Sequence, residues 1–143
     1  MNHINRSALI PHTPEQMYGL VLDVDRYPEF LPWCSAAKVM EQSEQVQRAS
    51  ISLAVGAVRQ QFSTRNTLTP GQRIDMALEE GPFKQLTGAW SFTQLGDIGS
   101  KVELDVQFSF SSRLLEKSVG PVFSHVCSSL VGAFTARADA LYR

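Results

Sequence analysis

The sequence predicts an α+β fold in which a curved antiparallel β-sheet wraps around one long C-terminal helix, with two short helices after the first strand. Between residues 48 and 110, apolar residues alternate with polar or small ones, which is typical of strands that cover a core with one face. Between residues 121 and 142 the apolar period becomes 3.6, which indicates an amphipathic helix about 30 Å long. We expect one domain over residues 1–143, because a chain of this length buries enough surface for one core.

The N-terminal part predicts one weak strand and a well-defined first helix. Ile4–Ile10 has the apolar content of a short strand. Thr13 suits the N-cap of the helix, Pro14 suits its first turn, and Gln16 completes a capping box. The helix continues with apolar residues at helical spacing, namely Met17, Leu20, Val21 and Val24.

The segment Tyr27–Cys34 contains three aromatic residues and two prolines in eight positions. Its rings are three residues apart, so one short helical turn would place Tyr27, Phe30 and Trp33 near one face. Pro28 suits the first position of this turn, and the second proline ends it. The turn is either a plug at one end of the core or an aromatic border of a ligand cavity.

Four runs with a period of two predict strands that follow one another without an intervening helix, so the sheet is a meander of hairpins. Their apolar positions are Ala49, Ile51, Leu53 and Val55, then Ile74, Met76 and Leu78, then Leu86, Gly88, Trp90 and Phe92, and finally Val102, Leu104, Val106, Phe108 and Phe110. The segments Thr69–Gln72, Gly81–Pro82 and Gly96–Ser100 have the composition of connections.

The last helix carries an apolar stripe, and Gly120–Pro121 interrupts its start, so the helix should kink or restart there. The stripe consists of Val119, Val122, Phe123, Val126, Leu130, Ala133 and Phe134. A strongly curved sheet around one helix can leave a space between them, closed at one end by the aromatic turn.

The composition and charge of the chain argue against several classes of function. The net charge of −1 and the pI near 6.3 argue against a general nucleic-acid-binding surface, and we expect no DNA partner. A local basic cluster of Arg59, Arg65 and Arg73 stays open as an exception. Cys34 and Cys127 match no metal-ligand spacing. Without an apolar signal core or a membrane-spanning run, we expect the protein in the cytoplasm with both thiols reduced.

Catalytic chemistry finds little support in the sequence, and we predict that the protein is not an enzyme. His3, His12 and His125 are dispersed, and no nucleophile motif, phosphate loop or metal cluster is present. Glu79–Glu80 is better explained as a solvated pair at a strand end, and Cys34 as a small buried thiol.

Three segments together resemble a known family: Tyr27–Cys34, Gly81–Phe92 and Val131–Ala138. They are similar to the coenzyme Q-binding and ribosome-association toxin family, within the START-like, polyketide-cyclase superfamily of helix-grip proteins. The bacterial branch is nearest, partly through Ala8–Pro11 and Phe62–Asn66. The resemblance implies the helix-grip fold, a hydrophobic tunnel, quinone binding and a role in respiration. It also implies a second function, binding to the large ribosomal subunit to block subunit joining.

A tunnel for an isoprenoid chain needs an apolar lining, because each buried CH₂ contributes about 0.8 kcal/mol. The expected ligand-binding residues are Tyr27, Phe30, Leu31, Trp33, Phe62, Trp90, Phe92, Phe108, Phe123, Val126, Leu130 and Phe134. For each strand aromatic, packing in the core is the simpler alternative. Candidate donors to the quinone carbonyls are Gln61, Arg65 and Asn66.

The first hypothesis is therefore a non-enzymatic carrier or chaperone for ubiquinone, bound as a ligand, with transient contact to the inner-membrane surface. The second is an interaction protein of the large ribosomal subunit. The third is a START-like enzyme such as a cyclase. Mild acidity favours the first over the second, since ribosomal RNA attracts basic surfaces.

Overall fold

A seven-stranded antiparallel sheet curves around a C-terminal helix in the computed structural model, which describes residues 2–97 and 99–142. The strands are β1 Asn2–Ile10, β2 Cys34–Gln42, β3 Val46–Val55, β4 Val58–Thr69, β5 Arg73–Glu80, β6 Phe83–Leu95 and β7 Gly99–Phe110. The helices are α1 Pro14–Leu22, a 3₁₀ helix Val24–Glu29, α2 Arg113–Ser118 and α3 Gly120–Leu141. The predicted fold class is confirmed.

The strand order is β1-β7-β6-β5-β4-β3-β2, so strands β2 to β7 form the predicted meander and β1 closes the other edge. Asn2 lies opposite Phe108 in the β1–β7 pair. Strands β2 and β4 were not identified from the sequence. Strand β2 carries two register shifts against β3, and β4 has polar residues on both faces, so neither shows clean alternation. The predicted connection Gly96–Ser100 includes Ile98, which lies outside the described residues.

The capping box of α1 is present as predicted. The Thr13 hydroxyl accepts a hydrogen bond from the Gln16 backbone N–H at 3.1 Å. The Gln16 side-chain oxygen accepts from the Thr13 N–H at 3.0 Å. These two bonds satisfy donors that the first turn of a helix leaves unpaired, and they fix where α1 begins.

The aromatic segment differs from the prediction. The helical turn begins at Val24 and ends at Glu29, so Pro28 is its fifth residue and not its first. It begins early because it continues directly from α1, and the Arg26 N–H donates to the Asp23 carbonyl at 3.2 Å. Trp33 lies beyond the end of this helix, so one turn does not hold all three rings.

Helix α3 covers the concave face of the sheet, after a break that separates it from α2 at the predicted position. The inward positions of β7 are all buried, as the alternation predicted. The buried face of α3 is rotated from the predicted stripe. It includes Cys127, Val131 and Ala138, whereas Val122 and Ala133 are only half-buried. Among the described residues, no helix has the length and apolar character needed to cross a membrane.

Candidate functional site

A cavity of about 90 Å³ lies between α3 and the inner face of the sheet. Among the strands, helix α3 packs most closely on β1 and β7, so the sheet curves away from it at β3 to β5. The cavity occupies this widening, and most of its lining is apolar, with Ile74, Trp90 and Leu104 as examples. It is smaller than the roughly 300–1,000 Å³ typical of ligand pockets. A larger ligand therefore requires the lining to move.

A larger groove of about 680 Å³ opens on the surface beside this cavity. It runs between the loop at Leu31–Trp33, the end of β3 and the face of α3 that carries Val122 and Ala133. Trp33 and Val126 line both spaces. These two side chains therefore lie at the partition between the cavity and the open groove.

Two aromatic clusters lie towards opposite ends of α3. Near its C-terminal end, the Phe134 ring contacts the rings of Tyr27, Phe30 and Trp90 at centroid distances of 5.2–5.4 Å. Near its N-terminal end, the Phe123 ring has four ring neighbours on the sheet at centroid distances of 4.7–6.3 Å, namely Phe62, Phe83, Phe108 and Phe110. Eleven residues separate the two phenylalanines, which corresponds to about 16 Å along the axis. The cavity therefore lies between these two aromatic clusters.

One side of the cavity is polar. Gln47 on β3 and Asn66 on β4 are register partners, and Thr64 lies two residues from Asn66 on the same inward face. The Asn66 Nδ2 group donates to Gln47 Oε1 at 3.0 Å. Gln47 Nε2 in turn donates to the Leu22 carbonyl at 2.7 Å. All three polar side chains are buried.

The structure places eight of the twelve expected ligand-binding residues on the cavity wall: Tyr27, Trp33, Phe62, Trp90, Phe123, Val126, Leu130 and Phe134. Leu31 lines the groove. Phe30, Phe92 and Phe108 line neither space and pack against other rings.

Of the three candidate head-group donors, only Asn66 faces the cavity. Gln61 and Arg65 point outward, because inward positions on β4 are even-numbered from Phe62 onward. Gln47 and Thr64 were missed by the sequence analysis. The same period of two would have placed Thr64 beside Asn66, had β4 been identified as a strand.

The cavity wall carries no charged side chain among the residues that the structure describes. Burial raises the pKa of the Tyr27 hydroxyl, which donates a hydrogen bond to the Val21 carbonyl. Burial also raises the pKa of the Cys127 thiol to about 12. Both groups therefore stay protonated at neutral pH and supply neither a base nor a thiolate nucleophile.

Outside the cavity, His3, His12 and Cys34 have structural partners. Cys34 is buried, as predicted, and its burial raises its pKa. The His3 ring lies 2.9 Å from Asp105, and the His12 ring lies 2.8 Å from Asp139. Within residues 2–97 and 99–142, no three metal-ligating side chains are grouped closely enough to hold an ion.

The three arginines of the expected basic cluster share the outer face of the sheet but do not form a compact patch. Arg59 and Arg65 are six residues apart on β4, which corresponds to about 20 Å. Arg73 is ion-paired with Asp75 at 2.9 Å. The cluster is therefore a spaced set of charges, partly neutralised at one end.

Comparison with known proteins identifies relatives by sequence similarity. The family described as "Polyketide cyclase / dehydrase and lipid transport" matches residues 10–135. The chain is 47% identical to a Pseudomonas aeruginosa protein named "Ribosome association toxin RatA", over 98% of this chain and 97% of that protein. It is 28% identical to "Coenzyme Q-binding protein COQ10 homolog B, mitochondrial" of Xenopus laevis, over 96% of this chain and 58% of that protein.

Among solved structures, the Zhui aromatase/cyclase from Streptomyces sp. R1128 matches with a TM-score of 0.87 at 14% identity, covering 99% of this chain and 96% of that chain. At this identity the likeness concerns the fold alone. The sequence relatives show family membership as well as fold. The family match does so too, since it spans most of the chain. On these grounds the protein belongs to the polyketide cyclase / dehydrase and lipid transport family.

Proposed function

We propose that the protein is a non-enzymatic binding protein for a lipid quinone of the ubiquinone class, acting as a carrier or chaperone in respiration. The observation that carries this proposal is the apolar cavity with one polar side, which adjoins a larger groove at Trp33 and Val126. A quinone has the same division, with a polar ring and an apolar isoprenoid tail. The name of the more distant Xenopus relative supports the same ligand class.

The sizes of the two spaces suggest how a lipid quinone binds. The cavity of about 90 Å³ is too small for a substituted ring with its tail, whereas the groove of about 680 Å³ is within the usual range for ligands. Movement of Trp33, which lines both, would join the two spaces. The ring then lies against the polar side of the cavity, and the tail follows the groove along α3.

The mouth of the groove supports transient contact with a membrane surface. Pro32 and Pro121 are exposed there, and Val55 is 38% exposed at the end of β3. These residues form an apolar rim where a lipid ligand would pass between bilayer and protein. Native mass spectrometry of protein purified from its own host tests the proposal. A bound lipid quinone is expected, and its consistent absence from protein exposed to host membranes would contradict quinone carriage.

Trp33→Ala is expected to weaken binding of a short-chain ubiquinone about tenfold or more, because the partition loses a large apolar contact surface. Titration of each variant with the quinone measures this effect. Phe30→Ala is the matched control, since Phe30 belongs to the same segment but lines neither space. Far-ultraviolet circular dichroism should stay close to wild type. Unchanged affinity in folded Trp33→Ala protein would reduce the aromatic segment to a packing role.

Absence of a charged group from the described cavity wall supports binding over catalysis. The cyclase alternative would require an inward acid or base to move protons on its substrate. The close sequence relatives are named as toxins and not as enzymes.

A second function, association with the ribosome, is favoured by the name of the Pseudomonas relative, and the family resemblance implies the large subunit as the partner. The exposed outer face of β4 offers Arg59 and Arg65 to a phosphate backbone. Contacts of this kind weaken steeply with salt, because binding releases counterions from the RNA.

Replacing Arg59, Arg65 and Arg73 together with glutamine is expected to abolish co-sedimentation with large subunits on sucrose gradients. Arg73→Gln alone is the control and should have a smaller effect, because Asp75 already neutralises this charge. An intact salt dependence in the triple variant would place the interface elsewhere. If wild-type protein never sediments with large subunits at low salt, the ribosomal function is excluded.

A further inference from the structure

One residue on the cavity wall has a buried polar atom with no hydrogen-bond partner. Asn66 is only 5% exposed, and its Oδ1 atom is unpaired. The residue lines the cavity from β4. A buried acceptor without a donor is destabilising, so this atom favours any ligand that supplies one.

The neighbouring amide determines which end of the Asn66 side chain is free. The Leu22 carbonyl only accepts hydrogen bonds, so the nitrogen end of Gln47 must face it. The oxygen end of Gln47 then faces Asn66 and accepts from Nδ2 at 3.0 Å. This relay orients both amides without ambiguity. The Asn66 atom that has no partner is therefore an acceptor, Oδ1.

An acceptor distinguishes the two redox forms of a quinone ring. The oxidised ring presents carbonyl oxygens, which cannot donate, whereas the reduced ring presents two hydroxyl groups that can. A ring that fills the cavity excludes water from Asn66 Oδ1, so a ligand without a donor leaves that oxygen unsatisfied. The Thr64 hydroxyl beside it donates or accepts and thus tolerates both forms. The Tyr27 hydroxyl already donates to a backbone carbonyl.

We propose that Asn66 makes the cavity selective for a hydroxyl-bearing aromatic ring, such as a quinol, over the corresponding oxidised quinone. This inference rests on the proposed quinone-binding function and specifies which form is held. We expect the quinol to bind about tenfold more tightly. For a two-electron couple, tenfold tighter binding of the reduced form raises the reduction potential of the bound ligand by about 30 mV.

The test titrates wild-type protein anaerobically with decylubiquinol, decylubiquinone and the dimethyl ether of the quinol. The dimethyl ether has the shape of a reduced ring but no donor, so it should lose the advantage of the quinol. Quinone binding equal to or tighter than quinol binding would overturn this inference and leave the proposed function standing. If neither form binds, the proposed function and the inference fail together.

Asn66→Leu should bring the quinol-to-quinone affinity ratio close to one, because it removes the acceptor and keeps a similar volume. Gln61→Leu, on the outward face of β4, is the matched control, and its ratio should stay near the wild-type value. Thermal melts identify folded protein in each case. Should Asn66→Leu fail to fold, the dimethyl ether comparison in wild-type protein still decides the question. A folded Asn66→Leu variant that keeps the tenfold preference would contradict the role of Asn66.

Discussion

Replacing Phe134 with alanine is expected to lower the free energy of unfolding by about 3–5 kcal/mol. Phe134 is 1% exposed, and its ring contacts three others, those of Tyr27, Phe30 and Trp90. The truncation removes the contact that joins the 3₁₀ helix to α3 and to β6. Because domains of this size have about 5–15 kcal/mol of stability, the loss should be plain in urea melts. A loss below about 1 kcal/mol would show that neighbouring side chains close the gap.

Phe123→Ala is the natural comparison. The sequence predicts that one of these two phenylalanines fills packed core and the other borders open space. In the structure both rings are buried and both line the cavity. Both truncations should therefore enlarge the cavity and alter ligand affinity in the folded fraction. If both variants lose several kcal/mol and neither changes quinone binding, α3 is only a structural support and the tunnel hypothesis fails.

Gly81→Ala is expected to destabilise the protein by on the order of 3 kcal/mol. Gly81 connects β5 to β6 with a φ of 152°, a region that residues with a side chain rarely adopt. A Cβ atom there would lie 2.7 Å from the Cβ of Phe62, which itself lines the cavity. The alanine therefore strains the backbone and also displaces a cavity residue.

Gly56→Ala is the matched control for this substitution. Gly56 also has a positive φ, 57°, but a Cβ atom at this position would meet no neighbouring atom within 4 Å. It should cost about 1 kcal/mol, which is the backbone contribution alone. Chemical denaturation of both variants measures the difference. Equal losses would show that neither the contact with Phe62 nor the rarer φ of Gly81 adds to the cost.

Strand β7 and helix α3 differ, for physical reasons, in how well the sequence predicts their buried faces. The alternation in β7 predicted its buried face correctly, because from Val102 to Phe110 each inward position is apolar and each outward one is polar. In α3 the predicted apolar stripe is rotated relative to the observed buried face. The reason is that small or apolar residues surround most of the helix. Periodicity there does not distinguish Cys127 and Val131 from Val122 and Ala133. Burial against a curved sheet decides between them.

The polar side of the cavity depends on tertiary contacts that sequence spacing does not contain. Asn66 was a candidate from the sequence, but its partner Gln47 became apparent only from the register of β3 against β4. The carbonyl of Leu22, which orients Gln47, comes from the end of α1. Three separate parts of the chain thus determine one free oxygen atom.

The pairing of β1 with β7 has a consequence for synthesis. Asn2 and Phe108 are 106 residues apart in sequence, yet they lie opposite each other in the sheet. A nascent chain can form the hairpins from β2 to β7 as they emerge, but β1 must wait for the last strand. Helix α3 emerges later still, so the concave apolar face stays open until α3 has been synthesised. Such long-range closure is slow and leaves apolar surface exposed, which makes the interval before α3 packs on the sheet the vulnerable one for this chain.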